Sequence, residues 1–248
     1  MPLKSILFVT VHKGASTFIA DELGRYLAAS PHFNDFRPVG SLKIKGTQLS
    51  DMGGWAAEGL VGIRVYPAEF RDLLVDGEGF QEFAQNASLV FVQRDPRDVA
   101  VSLFYSKAYS HTTNVINKDR FVQDRERMQE MSLREGVWEF TARQSIAEFT
   151  KLHKLHDQFG GLLVRYEDLV TEPSKWFQSV GDHAEWPDEL TESVISRFSN
   201  SFTPPEAQDP LQHKRRITPG NWQEVFDRRL ERLYERRIGE LMQANGYT

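Results

Sequence analysis

Ser5-Ile6-Leu7-Phe8-Val9-Thr10-Val11, running straight into His12-Lys13-Gly14-Ala15-Ser16-Thr17, is the stretch that decides the fold. The first seven residues are β-favouring and nearly all apolar, which suits a central parallel strand covered on both faces. The next six make a small-residue turn. Phe18, Ile19, Leu23 and Leu27 then recur at helical spacing up to Ser30-Pro31. Strand, tight turn and helix in this order have the physical form of an anion site. Small residues let the chain pass close to a phosphate, and the free amides and dipole at the helix start favour negative charge. Lys13 adds a mobile cation, and Ser16 and Thr17 add hydroxyl donors. The segment is not a Walker loop, which needs more glycine and a lysine directly before the serine or threonine. A plain capped helix is the alternative reading of the same residues.

Working outward, short apolar strands are expected at 61–65, 89–93 and 162–165, with helical stretches between them. That alternation predicts an α/β fold: one domain spanning 1–248, with a mostly parallel central sheet flanked by helices. Two stretches break the rhythm. Residues 41–60 hold four glycines and Trp55, and residues 107–130 are polar with few apolar anchors. Both read as surface loops beside a cleft, or as ordinary solvated insertions. A helix is expected from near Ser132, with Leu133, Val137, Phe140, Phe149, Leu152 and Leu155 inward. Another is expected over 187–198 and a last one from about Gln223. The arginines of that last helix alternate with acids, the pattern of a solvated face.

Composition sets the boundaries. Of 248 residues, 40% are hydrophobic and 26% charged, so a sizeable core is available. There is no cysteine, which excludes disulfides, thiolate metal sites, iron–sulfur clusters and a cysteine nucleophile. The lack of disulfides fits a reducing compartment, and with no targeting segment in view a cytoplasmic location is the expectation. A formal charge of −5 argues against bulk nucleic-acid binding. No apolar run is long enough to span a bilayer. No convincing metal-ligand cluster is visible.

Three further segments point the same way as the opening loop. Phe91-Val92-Gln93-Arg94-Asp95-Pro96-Arg97-Asp98-Val99-Ala100-Val101-Ser102 leaves a strand and enters a helix at the carboxyl end where open α/β folds bind ligands. Arg94 there can grip a phosphate with two hydrogen bonds, while Asp98 is expected to cap the helix and Arg97 to pair with nearby acids. Val164-Arg165-Tyr166-Glu167-Asp168 is another strand end, whose tyrosine can stack on a base or pack on the next helix. His213-Lys214-Arg215-Arg216-Ile217-Thr218-Pro219-Gly220-Asn221-Trp222 is a dense basic patch in an acidic chain, suited to a compact, multiply charged ligand.

In order and spacing, these segments resemble the sulfotransferases that use 3′-phosphoadenosine 5′-phosphosulfate (PAPS) and release 3′-phosphoadenosine 5′-phosphate (PAP). The resemblance runs almost end to end. It implies that Lys13 contacts the 5′-phosphosulfate and steadies the leaving oxygen, with Gly14, Ala15, Ser16 and Thr17 forming the cradle. It implies that Arg94 and Ser102 bind the 3′-phosphate, that Ser102 restrains the loop lysine, and that Tyr166 lies beside the adenine. Arg215 and Arg216 then close over the 3′-phosphate, with Trp222 as anchor. The implied activity is sulfuryl transfer to a hydroxyl or amine of a small or amphipathic acceptor by in-line displacement. The alternatives are a nucleotide-binding small-molecule kinase and a catalytically inactive PAP-binding protein. Soluble members often form dimers.

The departures are specific. The family's histidine base falls at or near Val65, with no histidine nearby, so His111 and Glu69 are the candidate bases and His12 a neighbour of the loop. The loop reads His-Lys-Gly-Ala-Ser-Thr where many members have Pro-Lys-Ser-Gly-Thr-Thr, and Ile217 replaces a common glycine. Phe36, Trp55, Tyr66, Phe104, Tyr105 and Tyr109 either wall an acceptor cleft or belong to the core.

Overall fold

In the computed structural model, β1 (Ile6–Thr10) is buried along its whole length. It pairs in parallel with β3 (Leu60–Val65) on one side and β4 (Ser88–Gln93) on the other. β2 (Asp35–Pro38) lies outside β3 and β5 (Leu162–Arg165) outside β4, giving, among the described residues, a five-stranded, all-parallel order β2-β3-β1-β4-β5. Apolar strands covered on both faces are what such a sheet requires. The structure describes residues 3–33, 35–38, 60–65, 78–110, 118–202 and 217–248. The expected strands are all present. β2 was not foreseen, because Asp-Phe-Arg-Pro has little β pattern; its Pro38 is tolerated at an edge. The chain leaves β1 toward β2 and β3, then crosses to β4 and β5. The order therefore reverses between β1 and β4, the place where parallel sheets take ligands.

Two compact units are present, one formed by Met1–Gln93 with Lys151–Phe202, the other by Arg94–Thr150 with Thr203–Thr248. The first contains the sheet. A π-helical turn (Phe18–Leu23) leads into α1 (Gly24–Ala28), and Ile19, Leu23 and Leu27 are fully buried, as the helical spacing predicts. α2 (Glu78–Asn86) precedes β4. After β5 come the helices α7 (Tyr166–Thr171), α8 (Pro173–His183) and α9 (Asp188–Phe198). Phe18 packs edge-on against Phe198 and Phe202 at 5.3 and 4.8 Å.

The second unit is helical, with α3 (Pro96–Tyr105), α4 (Lys118–Glu130), α5 (Leu133–Gly136) and α10 (Arg228–Ala244); α6 (Ala142–Phe159) starts in it and continues into the first. Its core gathers Val101, Phe104, Val137, Phe149, Phe226, Leu230 and Tyr234. Phe104 is thus a core residue, while Tyr105 and Tyr109 pack partly buried against it. A Cβ on Gly136 would stand 2.1 Å from the Phe104 ring, so only glycine fits there.

Three expectations are corrected. Residues 118–130, read as part of a loop, form a 13-residue helix. Met128 is its fully buried anchor, and polar side chains do the rest: Arg125 Nε donates to the Lys107 carbonyl at 2.9 Å and Gln129 Nε2 to the Ala108 carbonyl at 2.7 Å. Fastening of this kind leaves no hydrophobic period. The helix near Ser132 begins there, in a capping box with Glu135, but it passes through a π-helical turn (Val137–Thr141) before α6. The last helix starts at Arg228, because Asp227 caps it through the Arg229 and Leu230 amides, both at 3.0 Å.

Candidate active site

The loop after β1 is built by hydrogen bonds and by unusual backbone. The Gly14 amide donates to the Val11 carbonyl at 3.0 Å, closing a tight turn, and the Ile19 amide donates to the Ala15 carbonyl at 2.9 Å, starting the helix. Between these bonds, Lys13 and Ala15 both adopt φ = +63°. Left-handed backbone costs a residue with a Cβ about 1–2 kcal/mol, and such strain concentrates at functional sites. Gly14 cannot be larger: a Cβ would approach Thr10 Oγ1 to 2.7 Å and the Val11 carbonyl oxygen to 3.1 Å. Left-handed backbone beside right-handed backbone is the pattern from which anion nests are built; the Gly14 amide, already bonded to the Val11 carbonyl, is not available to such a nest. Ser16 is buried, Thr17 stands at the helix N-cap, and Lys13 keeps partial exposure. The loop thus brings Lys13, Gly14, Ala15, Ser16 and Thr17 together.

Arg94 is the residue after β4 and is 3% exposed. The next residues depart from the expected capping of this helix. The cap of α3 is Asp95, which accepts from the Arg97 amide at 2.9 Å, and not Asp98. Arg97 does pair with an acid: it grips the same Asp95 in two-pronged fashion, at 3.0 Å through Nε and 2.8 Å through Nη2. Its guanidinium also lies 3.6 Å above the Trp222 ring. Asp98, freed from capping, accepts from the Gly220 amide at 2.7 Å and the Trp222 amide at 3.0 Å. Gly220, at φ = +93°, supplies the turn that lets both amides face one carboxylate. The Arg-Asp-Pro-Arg-Asp segment and the Gly-Asn-Trp turn are therefore one fastened assembly within the second unit. Ser102 lies further along α3, partly exposed.

Tyr166 follows β5 directly, opens α7 and is buried. Glu69, His111, Arg215 and Arg216 lie outside the described residues, as do Trp55 and Tyr66. Val65 ends β3, in register with Val9. Two residues of this region were missed in the sequence. Thr10 is fully buried and its hydroxyl donates to the Gly14 carbonyl at 2.7 Å. Gln93 is buried at the end of β4, and its Oε1 has no hydrogen-bond donor among the described residues. A polar residue closing an otherwise apolar strand was the available signal for both.

The first unit offers a cation and two hydroxyls on one loop, Lys13, Ser16 and Thr17, and the second offers Arg94 and Ser102 on the segment after β4. The chemistry of these groups fits phosphate and sulfate oxygens. Among the described residues, no group of three or more His, Asp or Glu is placed to hold a metal ion. No helix among them is long and apolar enough to cross a membrane.

Comparison with known proteins agrees with this chemistry. A family model described as "Sulfotransferase domain" matches residues 80–246. The match takes in Arg94, Ser102, Tyr166, Arg215, Arg216 and Trp222, while the Lys13 loop lies outside it. A search of curated proteins found no match. Among solved structures, a mouse sulfotransferase, SULT7A1, complexed with PAP shares the fold at 12% identity and a TM-score of 0.54, over 96% of this chain and 84% of that one. A retinol dehydratase in complex with retinol and PAP does so at 14% identity and a TM-score of 0.50, over 98% of this chain and 82% of that one.

Proposed function

The chain belongs to the sulfotransferase family, and from that premise we propose which of its residues carry the reaction. The protein is an enzyme that transfers a sulfuryl group from PAPS to a small-molecule acceptor. The family match selects this activity over the kinase, and turnover in the assay below separates it from an inactive PAP-binding protein. PAPS supplies an activated sulfur: the acceptor atom bonds to it as the sulfur–oxygen bond to the 5′-phosphate breaks in line.

Lys13 and the amides of the β1 loop stabilise the negative charge that grows on the departing oxygen. The observation that carries this assignment is the left-handed backbone at Lys13 and Ala15, which spends conformational energy on a nest beside a lysine. Ser16 and Thr17 bind the same phosphate oxygens through their hydroxyls. Arg94 and Ser102 bind the 3′-phosphate, together with Arg215 and Arg216, and Tyr166 flanks the adenine. The acceptor's proton passes to His111 or Glu69, since the family's histidine position falls at or near Val65, where this chain has no histidine. Holding donor and acceptor in line removes part of the entropic barrier. The reading also places the enzyme in the cytoplasm, in keeping with its lack of cysteine.

Isothermal titration with PAP, with ATP and 5′-AMP as controls, tests the donor site. Metal-independent PAP binding that neither control matches is expected; no PAP binding by folded protein would sink the assignment. A screen of acceptors with labelled PAPS then reads turnover. In that assay Lys13→Ala should lower turnover about 10²–10³-fold while the circular dichroism spectrum is unchanged.

A further inference from the structure

We propose that Thr10 is a positioning residue for sulfuryl transfer: its buried hydroxyl clamps the strained loop that holds the donor's 5′-phosphate. The inference rests on the donor reading above and adds a residue to it.

Thr10 ends β1 and has no exposed surface. Its Oγ1 lies 2.7 Å from the Gly14 carbonyl oxygen and 3.0 Å from that of Val11. A hydroxyl has one proton to donate, and the Val11 carbonyl already receives the Gly14 amide at 3.0 Å. The shorter contact, to Gly14, is the one that needs the hydroxyl. Gly14 lies between the two left-handed residues, Lys13 and Ala15. Fixing its carbonyl inward, against Thr10, orients the Gly14–Ala15 peptide plane. The amide of Ala15 must then point the opposite way, because C=O and N–H of one trans peptide are antiparallel.

The same geometry explains the exchange of residues in this loop. Many family members carry serine then glycine after the lysine, whereas this chain carries Gly14 then Ala15. Glycine is needed at position 14, where a Cβ would meet Thr10 Oγ1 at 2.7 Å. Ala15 then holds a left-handed conformation that glycine adopts without cost. A loop strained in this way relaxes unless something holds it. One buried hydrogen bond contributes an amount of the same size as the strain at one such residue.

The test measures PAP and adenosine 3′-monophosphate affinities of wild type, Thr10→Val, Thr10→Ala, Thr10→Ser and Ala15→Gly by calorimetry. Thr10→Val keeps the branched shape and removes the donor. We expect it to lose at least tenfold in PAP affinity while 3′-monophosphate affinity stays within about twofold, because the loop faces only the 5′-phosphate. Thr10→Ser should bind both as wild type does. In the Ala15→Gly background, the Thr10→Val penalty on PAP should shrink, since there is less strain to hold. Unchanged PAP affinity in folded Thr10→Val overturns the proposal, as does an equal loss for both nucleotides. If Thr10→Val does not fold, Thr10→Ala, which removes the same donor, decides: unchanged PAP affinity there overturns the proposal, and a tenfold loss confined to PAP supports it. Wild type that binds no PAP would overturn the donor reading itself, and this inference with it.

Discussion

Asp98 shows how one carboxylate can organise residues far apart in sequence. It is 1% exposed, and its two oxygens hold the amides of Gly220 and Trp222, 122 and 124 positions away. Hydrogen bonds to a buried charge contribute more than neutral ones. Asp98→Ala should therefore lower the unfolding free energy by about 2–4 kcal/mol in urea titration, where most surface substitutions do little. At Gly136 the limit is volume. Gly136→Ala drives a methyl group into the Phe104 ring and should cost about 1–3 kcal/mol by the same measurement. The sequence placed Asp98 at the start of a helix and suggested a cap, because a local motif is all that neighbouring residues can display. Asp95 took the cap, two positions before Arg97, whose amide and guanidinium it also engages.

At the level of elements, apolar strands and amphipathic helices were legible and the polar-fastened helix was not. β1, β3, β4 and β5 stand where their apolar runs lie, and α9 lies where its inward leucine and valine predicted. α4 escaped notice because side chain to backbone bonds replace a hydrophobic stripe. α6 carries a consequence of its packing. Burial pushes His153 down to about 4, with the neighbouring charge of His156 acting in the same direction and Asp157 opposing. Its folded state favours the neutral ring, so between pH 6.5 and 4 the unfolded chain binds more protons. Stability should fall as pH drops through that window and level off below it, by about 2 kcal/mol with allowance for solvent screening. Urea midpoints from pH 7 to 3.5 measure this, and His153→Leu should remove that part of the slope.

Across the whole molecule, donor binding and stability are linked. Because PAP binds the folded chain, PAP at 100 times its dissociation constant should add about 2.7 kcal/mol to the unfolding free energy, read as a rise in thermal midpoint. Chelation with EDTA should leave both that rise and turnover unchanged, since every group proposed to stabilise charge is a side chain or an amide. The sequence by itself determined the parallel α/β class, the positions of the inner strands and the small-residue turn that follows the first of them. It could do so because burial on both faces, helical period and small-residue turns are properties of neighbouring residues. Only the tertiary structure decided that Lys13 and Ala15 carry left-handed backbone, that Thr10 clamps Gly14, and that Asp98 fastens the Gly-Asn-Trp turn. Those features depend on which carbonyl or amide a buried side chain finds after the chain has folded, and the unpaired sequence holds no record of that partner.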